Sequence, residues 1–388
     1  MNGQVPASAG PLAGVKVVEL AGLGPAPMAA MLMADLGATV IRVDRRQAAD
    51  LGIRRPRKYD LLLRNRELLG LDLKDPAAVA LVFELIDQAD ALIEGFRPGV
   101  MERLGLGPDA CLRRNARLVY GRVTGWGQSG PLSQAAGHDL NYVSLTGAIN
   151  AMGRAGQPPA VPLSLIGDFG GGALYLALGM LAAILEARSS GQGQVVDAAM
   201  VDGVISLQTI FLGMHAAGIW DPRRGHNPID SGSHFYNVYE CSDRKWISVA
   251  ALEKRFHDEL VKRLGIDPAE IGDHMDASNW PKAKALLADR FRQRTRDEWC
   301  ELLEGTDACF SPVLSWDEAM QHPHLQERGS FCQVDGVWQP AVAPRFSRTP
   351  GAMPTPPRDL SPQNDEAALT RWLPSERIAA LRAAGTIA

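Results

Sequence analysis

Val15-Lys16-Val17-Val18-Glu19-Leu20, then Gly22-Leu23-Gly24-Pro25 and, after Gly37, Thr39-Val40-Ile41-Arg42-Val43-Asp44, is the stretch that decides the fold. The first run is short and rich in valine, and glycines follow it closely, so it reads as a strand. The glycine turn opens a helix to about Leu36, and Pro25 suits a first helical turn, where its missing N–H costs nothing. Gly37 caps that helix, and Thr39–Asp44 is the next strand. The result is a βαβ unit ending in an acidic residue, the outline of a nucleotide-binding half-domain.

Working outward, the alternation continues. Strands are expected at Leu69–Leu73, Ala91–Glu94 and Leu118–Val123, with a helix at Pro76–Gln88. Such alternation implies an α/β fold with a parallel sheet covered on both faces. A long apolar helix is expected from Gly170 to Ala187, a strand over Gln194–Ala198 and another buried helix from about Met200. Residues 221–234 read as a crossing segment, Asn237–Ala251 as a hairpin around Ser242-Asp243, and Glu253 to Leu303 as amphipathic helices. Eight prolines from Pro340 to Pro374 make the last part loop-rich before a short helix at Glu376–Ala384.

At 388 residues the chain is expected to form two domains. A net charge of −4 gives no global basic field, so no nucleic acid or membrane partner is expected. Any phosphate must then meet a local basic cluster. Five cysteines (Cys111, Cys241, Cys300, Cys309, Cys332) without CxxC spacing suggest a reducing compartment and no structural zinc. The first ten residues lack a secretory pattern, and the apolar run Ala173–Leu185 reads as too short to span a bilayer. The expected location is cytoplasmic.

Gly22-Leu23-Gly24 starts a dinucleotide fingerprint, but its third glycine falls on Pro27, which weakens an NAD(P) oxidoreductase reading. Arg45, Arg46, Arg55, Arg57, Lys58, Arg64, Arg66 and Lys74 follow the second strand. They are either a solvated face or a site for a phosphate-rich ligand, and Arg97 sits at the same strand-end edge. His138 in Gly137-His138-Asp139 and Asp168 in Gly167-Asp168-Phe169-Gly170-Gly171-Gly172 are a candidate acid/base pair. Taken singly, His138 reads as a structural histidine and Asp168 as a helix N-cap. His322-Pro323-His324 has no matching ligand cluster, so no metal is expected. Ser164 and Ser233 lack a nucleophile-elbow setting.

The chain closely resembles the α-methylacyl-CoA racemases of the family III CoA-transferase superfamily. The resemblance is carried by Ala34-Asp35-Leu36-Gly37-Ala38, Val43-Asp44-Arg45, Leu71-Asp72-Leu73-Lys74 and Glu94-Gly95-Phe96-Arg97-Pro98-Gly99. Thr124-Gly125-Trp126-Gly127, Gly137-His138-Asp139, Gly167-Asp168-Phe169 and Gly193-Gln194-Val195-Val196-Asp197-Ala198 extend it along nearly the whole chain. It implies a Rossmann-like large domain with a parallel sheet built from both chain ends, a smaller α+β domain, and an intertwined homodimer. The expected partition is 1–198 and 342–388 for the large CoA-binding domain, 231–320 for the small one, and linkers at 199–230 and 321–341. Arg45, Arg66 and Arg97, with Lys74 and Gly137, are expected to hold coenzyme A, which belongs to the substrate; no separate cofactor is required.

The resemblance places catalysis on His138 and Asp168, with Glu253 supporting the histidine from the other subunit. Inverting a carbon next to a thioester carbonyl needs one group to remove a proton and another to return one to the opposite face. The N–H groups of Gly170, Gly171 and Gly172 are candidate donors to the enolate oxygen. The alternative within the superfamily is a CoA-transferase, with Asp168 attacking the thioester to give a mixed anhydride. Such transferases typically lack the histidine and carry a glycine-rich run, whereas Asn227–His234 holds one glycine. Two departures stand out: Glu67 occupies a usually basic position, and Lys254 replaces a proline after Glu253.

Overall fold

In the computed structural model, which describes residues 9–46, 53 and 55–388, the opening pattern becomes one edge-to-centre run of a six-stranded sheet. Most of the N-terminal stretch read for a secretory pattern lies outside the described residues. Strands β1 (Lys16–Leu20), β2 (Thr39–Asp44), β3 (Glu67–Gly70), β4 (Ala91–Glu94), β5 (Val119–Thr124) and β6 (Val195–Ala199) pair in the order β3-β2-β1-β4-β5-β6, all parallel. The order reverses between β1 and β4, and open sheets of this kind bind ligands at such a switch point. The third strand starts two residues earlier than its apolar pattern suggests, because Glu67 pairs with Ile41.

Helix α1 (Pro25–Asp35) follows the glycine turn and α2 (Pro76–Ile86) starts from an Asp75 side-chain cap. Val17, Val40, Ile93 and Val119 pack with Ala29, Met33, Leu176 and Met180 on one face. Val18, Ile41, Leu69 and Leu92 pack with Leu81 and Leu85 on the other. Alternate residues of one strand thus enter two cores, which is why the strands read as continuous apolar runs. The C-terminal end joins the second core with helices, through Leu369, Trp372, Ile378 and Leu381. All six strands come from the first 199 residues, so the return of the chain covers the sheet rather than widening it. Asp365 accepts the Gly70 N–H at 2.8 Å, and Arg358 meets Glu67 at 2.7 Å.

The chain divides into two units. The first comprises residues up to 143, 163–207 and 327–388; the second comprises 144–162 and 208–326. The expected boundaries shift, and both expected linkers are divided between the two units. Residues 144–162 leave the first unit, helix Met200–Leu207 belongs to it rather than to a linker, and the hairpin Phe331–Val334 with Val337–Pro340 already belongs to it. The second unit has an antiparallel sheet of β7 (Tyr236–Glu240), β8 (Trp246–Ala250) and β9 (Phe310–Val313). Helices over it bury Leu260, Leu287, Phe291 and Trp299.

The helical run Leu165–Ser190 is continuous and, with a mean hydropathy of 1.6, long and apolar enough to cross a membrane, contrary to the sequence reading. Leu176, Met180, Ala183 and Ile184 on one side of it are nevertheless buried in the sheet's core.

Glu19 is buried on β1 and carries two arginines. Arg42 donates to one of its oxygens, and Arg66 Nε lies 2.6 Å from the other. The remaining Arg66 donors go to the carbonyls of Pro27, Leu62 and Arg64. Removing one partner of a buried charge set leaves another uncompensated, which is costly. Arg66→Met should therefore lower the unfolding free energy by about 3 kcal/mol, read from urea transitions; a shift too small to resolve would mean that Arg42 alone satisfies Glu19.

Candidate active site at the switch point

The site is built on Gly24, which closes the turn after β1 at φ 62° and forms the N-cap of α1. A Cβ at Gly24 would lie 2.9 Å from Asp168 Oδ2, so the bare glycine lets the Asp168 carboxyl rest on the turn. The Asp168 carboxyl therefore sits at the end of β1, where the strand order reverses.

Asp168 is not an N-cap. It lies inside a π-helical segment, Leu165–Ala173, that runs into the α-helix Leu174–Ser190. The Phe169 N–H bonds the Ser164 carbonyl and the Leu174 N–H bonds the Phe169 carbonyl, both five residues back. Gly170, Gly171 and Gly172 fall between them in the same ladder. Their N–H groups point along the helix to carbonyls, so the expected role as enolate donors is not met. Wide turns of this kind are rare and concentrate at functional positions.

The cap on this segment comes from elsewhere. Asp139, buried on the short helix Asp139–Leu145, accepts the Asp168 N–H at 2.7 Å. It also takes a backbone hydrogen bond from Gly167. Sequence reading singled out its neighbour His138 and missed it. His138 itself is exposed, its carbonyl accepts the Tyr142 N–H, and its N–H is held by Asn141 at 3.0 Å.

Burial pushes the Asp168 carboxyl up to about 6, with the Asp139 charge adding to the rise; Ser164 and the nearby His138 oppose it. Asp139 is itself raised by burial. Tyr142 lies between them electrically: burial raises its hydroxyl, Asp168 and Asp139 add to that, and Arg97 lowers it. Its hydroxyl donates to the Gly137 carbonyl, and its ring meets Trp126 edge-on at 4.7 Å. A Cβ at Gly137 would stand 2.7 Å from that ring, so Gly137 acts by leaving room rather than by binding.

The expected phosphate ligands separate. Arg45, Lys74 and Arg97 are exposed. Arg66 is not: it is 2% exposed and fully occupied by Glu19 and three carbonyls, so its expected role at a phosphate is replaced by a structural one. Lys74 instead lines a pocket of about 480 Å³ with Leu73, Pro76, Val79, Arg103 and Leu104. Arg103 escaped sequence reading because it stands alone on a four-residue helix, Val100–Arg103, away from the basic cluster. Glu67 is held by Arg358 at 2.7 Å.

In the second unit, Glu253 is exposed at the N-cap of the helix Lys254–Leu264, with Lys254 as its first residue. Beneath it is a buried histidine trio. His234 Nε2 meets His257 Nε2 at 2.8 Å, His257 stacks on His274, and His274 bonds the Leu252 carbonyl at 3.2 Å. Burial, reinforced by the neighbouring imidazoles, lowers His234 to about 3 and His257 to about 4, so both are neutral near pH 7. His322 pairs with Glu304 at 2.8 Å. Among the described residues no group of three or more His, Cys, Asp or Glu side chains is arranged to hold a metal.

The comparisons with known proteins agree with this sheet and its topology. The sequence model of CoA-transferase family III matches residues 12–360, and the chain belongs to that family. It is 43% identical to the alpha-methylacyl-CoA racemase of Mus musculus, over 90% of this chain and 90% of that protein. Against the racemase of Homo sapiens the identity is 42%, over 90% and 89%. A solved CAIB/BAIF family protein from Brucella suis superposes with a TM-score of 0.79 at 24% identity, over 94% of this chain and 99% of that one, and supports the fold.

A carboxyl whose pKa is raised by folding stabilises the protein below its unfolded value, and that contribution is lost as pH climbs through the folded value. For Asp168 the loss falls between about 4 and about 6. Asp168→Asn should therefore be more stable than the parent at pH 7.5, by roughly 2 kcal/mol at most, and the gain should vanish below pH 4. Thermal melts across that range check this; a variant equally stable at every pH would contradict a burial-raised carboxyl.

Proposed function

We propose that this chain is an α-methylacyl-CoA racemase, inverting the carbon next to the thioester carbonyl by moving a proton off one face and back onto the other. The observation that carries the reading is that His138 lies within electrostatic reach of Asp168, a carboxyl on the bare Gly24 turn that burial pushes up to about 6. A carboxyl raised in this way can take up or release a proton near working pH, as acid and base roles in the two directions require. The relatives named above support the substrate class.

Lys74 and Arg103 flank the apolar pocket of Leu73, Val79 and Leu104, a surface suited to an adenine ring beside phosphate. Arg45 and Arg97 are exposed and complete the set proposed to hold coenzyme A. A CoA-transferase would instead use Asp168 as a nucleophile, a reading that leaves the neighbouring His138 without a part in the chemistry. Coenzyme A as part of the substrate, and no separate cofactor, completes the chemistry. Five free cysteines accord with a reducing, cytoplasmic setting.

The test is incubation of one enantiomer of a 2-methylacyl-CoA in heavy water, reading stereochemistry and deuterium at C2 together. The parent should racemise and incorporate label, while His138→Ala and Asp168→Ala should each lose about a hundredfold or more. Near-normal labelling in either variant would remove that residue from the pair.

The homodimer is part of the same proposal. Leu178 and Leu185 on the long helix of the first unit are 65% and 72% exposed, and Ile210 in the second is 65% exposed. Apolar side chains exposed to this degree on regular helices favour a partner surface. Glu253 enters as a carboxylate supplied by the second copy. Co-expressing His138→Ala with Glu253→Ala should then restore about a quarter of the parent activity, since half the dimers are mixed and each mixed dimer has one intact site. No activity beyond that of the two single variants would place Glu253 in its own chain's site.

A further inference from the structure

The acid/base pair is held by one shared piece of backbone chemistry. Asp139 follows His138 directly in the chain, and its carboxylate takes the N–H of Asp168 at 2.7 Å and that of Gly167 beside it. Approach this close needs Gly167 to be bare: a Cβ there would collide with Asp139 Oδ1 and lie 2.8 Å from Val143 Cγ2. Asp139 is only 7% exposed, and no arginine or lysine pairs with it among the described residues. The proton-moving residues, 30 positions apart, are thereby joined through a single side chain.

Resting on the two-base reading above, we infer that Asp139 is the positioning residue of the site, fixing Asp168 against His138 and placing a buried carboxylate beside it. The mechanism is geometric and electrostatic. Two N–H bonds to one buried carboxylate fix the wide turn on which Asp168 rides. The uncompensated negative charge beside Asp168 disfavours a second one. The groups facing Asp168 are His138 and Asp139 from one side, Ser164 from its own segment, and Tyr142, which itself feels Arg97. Asp139 is the one among them that is both buried and anionic. In a pair sharing one proton, the acid limb of the pH profile is the uptake of a second proton, governed by the more acidic member. Weakening the repulsion makes Asp168 more acidic and moves that limb to lower pH.

Asp139→Asn keeps the shape and one acceptor while removing the charge. In the full-length protein it should lower the exchange kcat by about tenfold or more, leave KM for the acyl-CoA within about twofold, and move the acid limb down by roughly half a pH unit or more. A residue that merely packs would not move the limb. An acid limb that stays in place overturns the proposal, whatever happens to kcat. Asp139→Ser is read in the same way should Asp139→Asn fail to fold. Asp168→Asn in the same assay separates two failures. Its inactivity with an unmoved limb in Asp139→Asn rejects the positioning role alone; its full activity rejects the two-base reading and this inference together.

Discussion

A carboxyl group gains proton affinity where water is restricted and cations are kept off it. That constraint organises the first unit. Asp168 meets it by resting on a glycine at the end of the first strand, behind a turn that no side chain fills. Three buried arginines of this unit are held by other carboxylates: Arg42 and Arg66 by Glu19, Arg64 by Asp35 at 2.5 Å. Burying Glu19 under two guanidinium groups keeps the positive charge of this region inside the scaffold. Arg45, Lys74, Arg97 and Arg103, by contrast, are exposed.

The elements that sequence reading placed well are those whose signals are local. A valine-rich run, a glycine turn, a proline at the first helical turn and a capping glycine lie within 30 residues and dictate β1–α1–β2 with little outside help. The hairpin of β7 and β8 has the same character, as alternating residues around Ser242-Asp243. His138 and Asp168 stand out as candidates because glycines flank them in the sequence.

What escaped reading depends on partners far along the chain. Asp139 looks like the tail of a histidine motif until a backbone N–H 29 positions later is brought to it. Arg66 looks like one more member of a basic cluster until a glutamate 47 positions earlier claims it. Glu67 reads as a lost cation, yet Arg358 answers it across 291 positions. The π-helical register is equally hidden, because glycines and apolar residues tolerate either winding and tertiary contacts select one. Here the long helix packs closely enough that Cβ atoms on Gly171 or Gly172 would press on Val204 and Met200.

The three-part make-up of the first unit has a consequence for how the molecule is made. Its sheet is complete in the first 199 residues, but Leu369, Trp372, Ile378 and Leu381, which seal one of its two cores, come from the last helices. During synthesis the strands must therefore wait, with one face only partly covered, until the whole intervening chain has left the ribosome. The second unit ends at residue 326 and draws nothing from the stretch beyond it, so it is free to close first. The order of emergence thus favours the inserted unit maturing before the unit that frames it, with the oldest strands exposed longest to wrong partners.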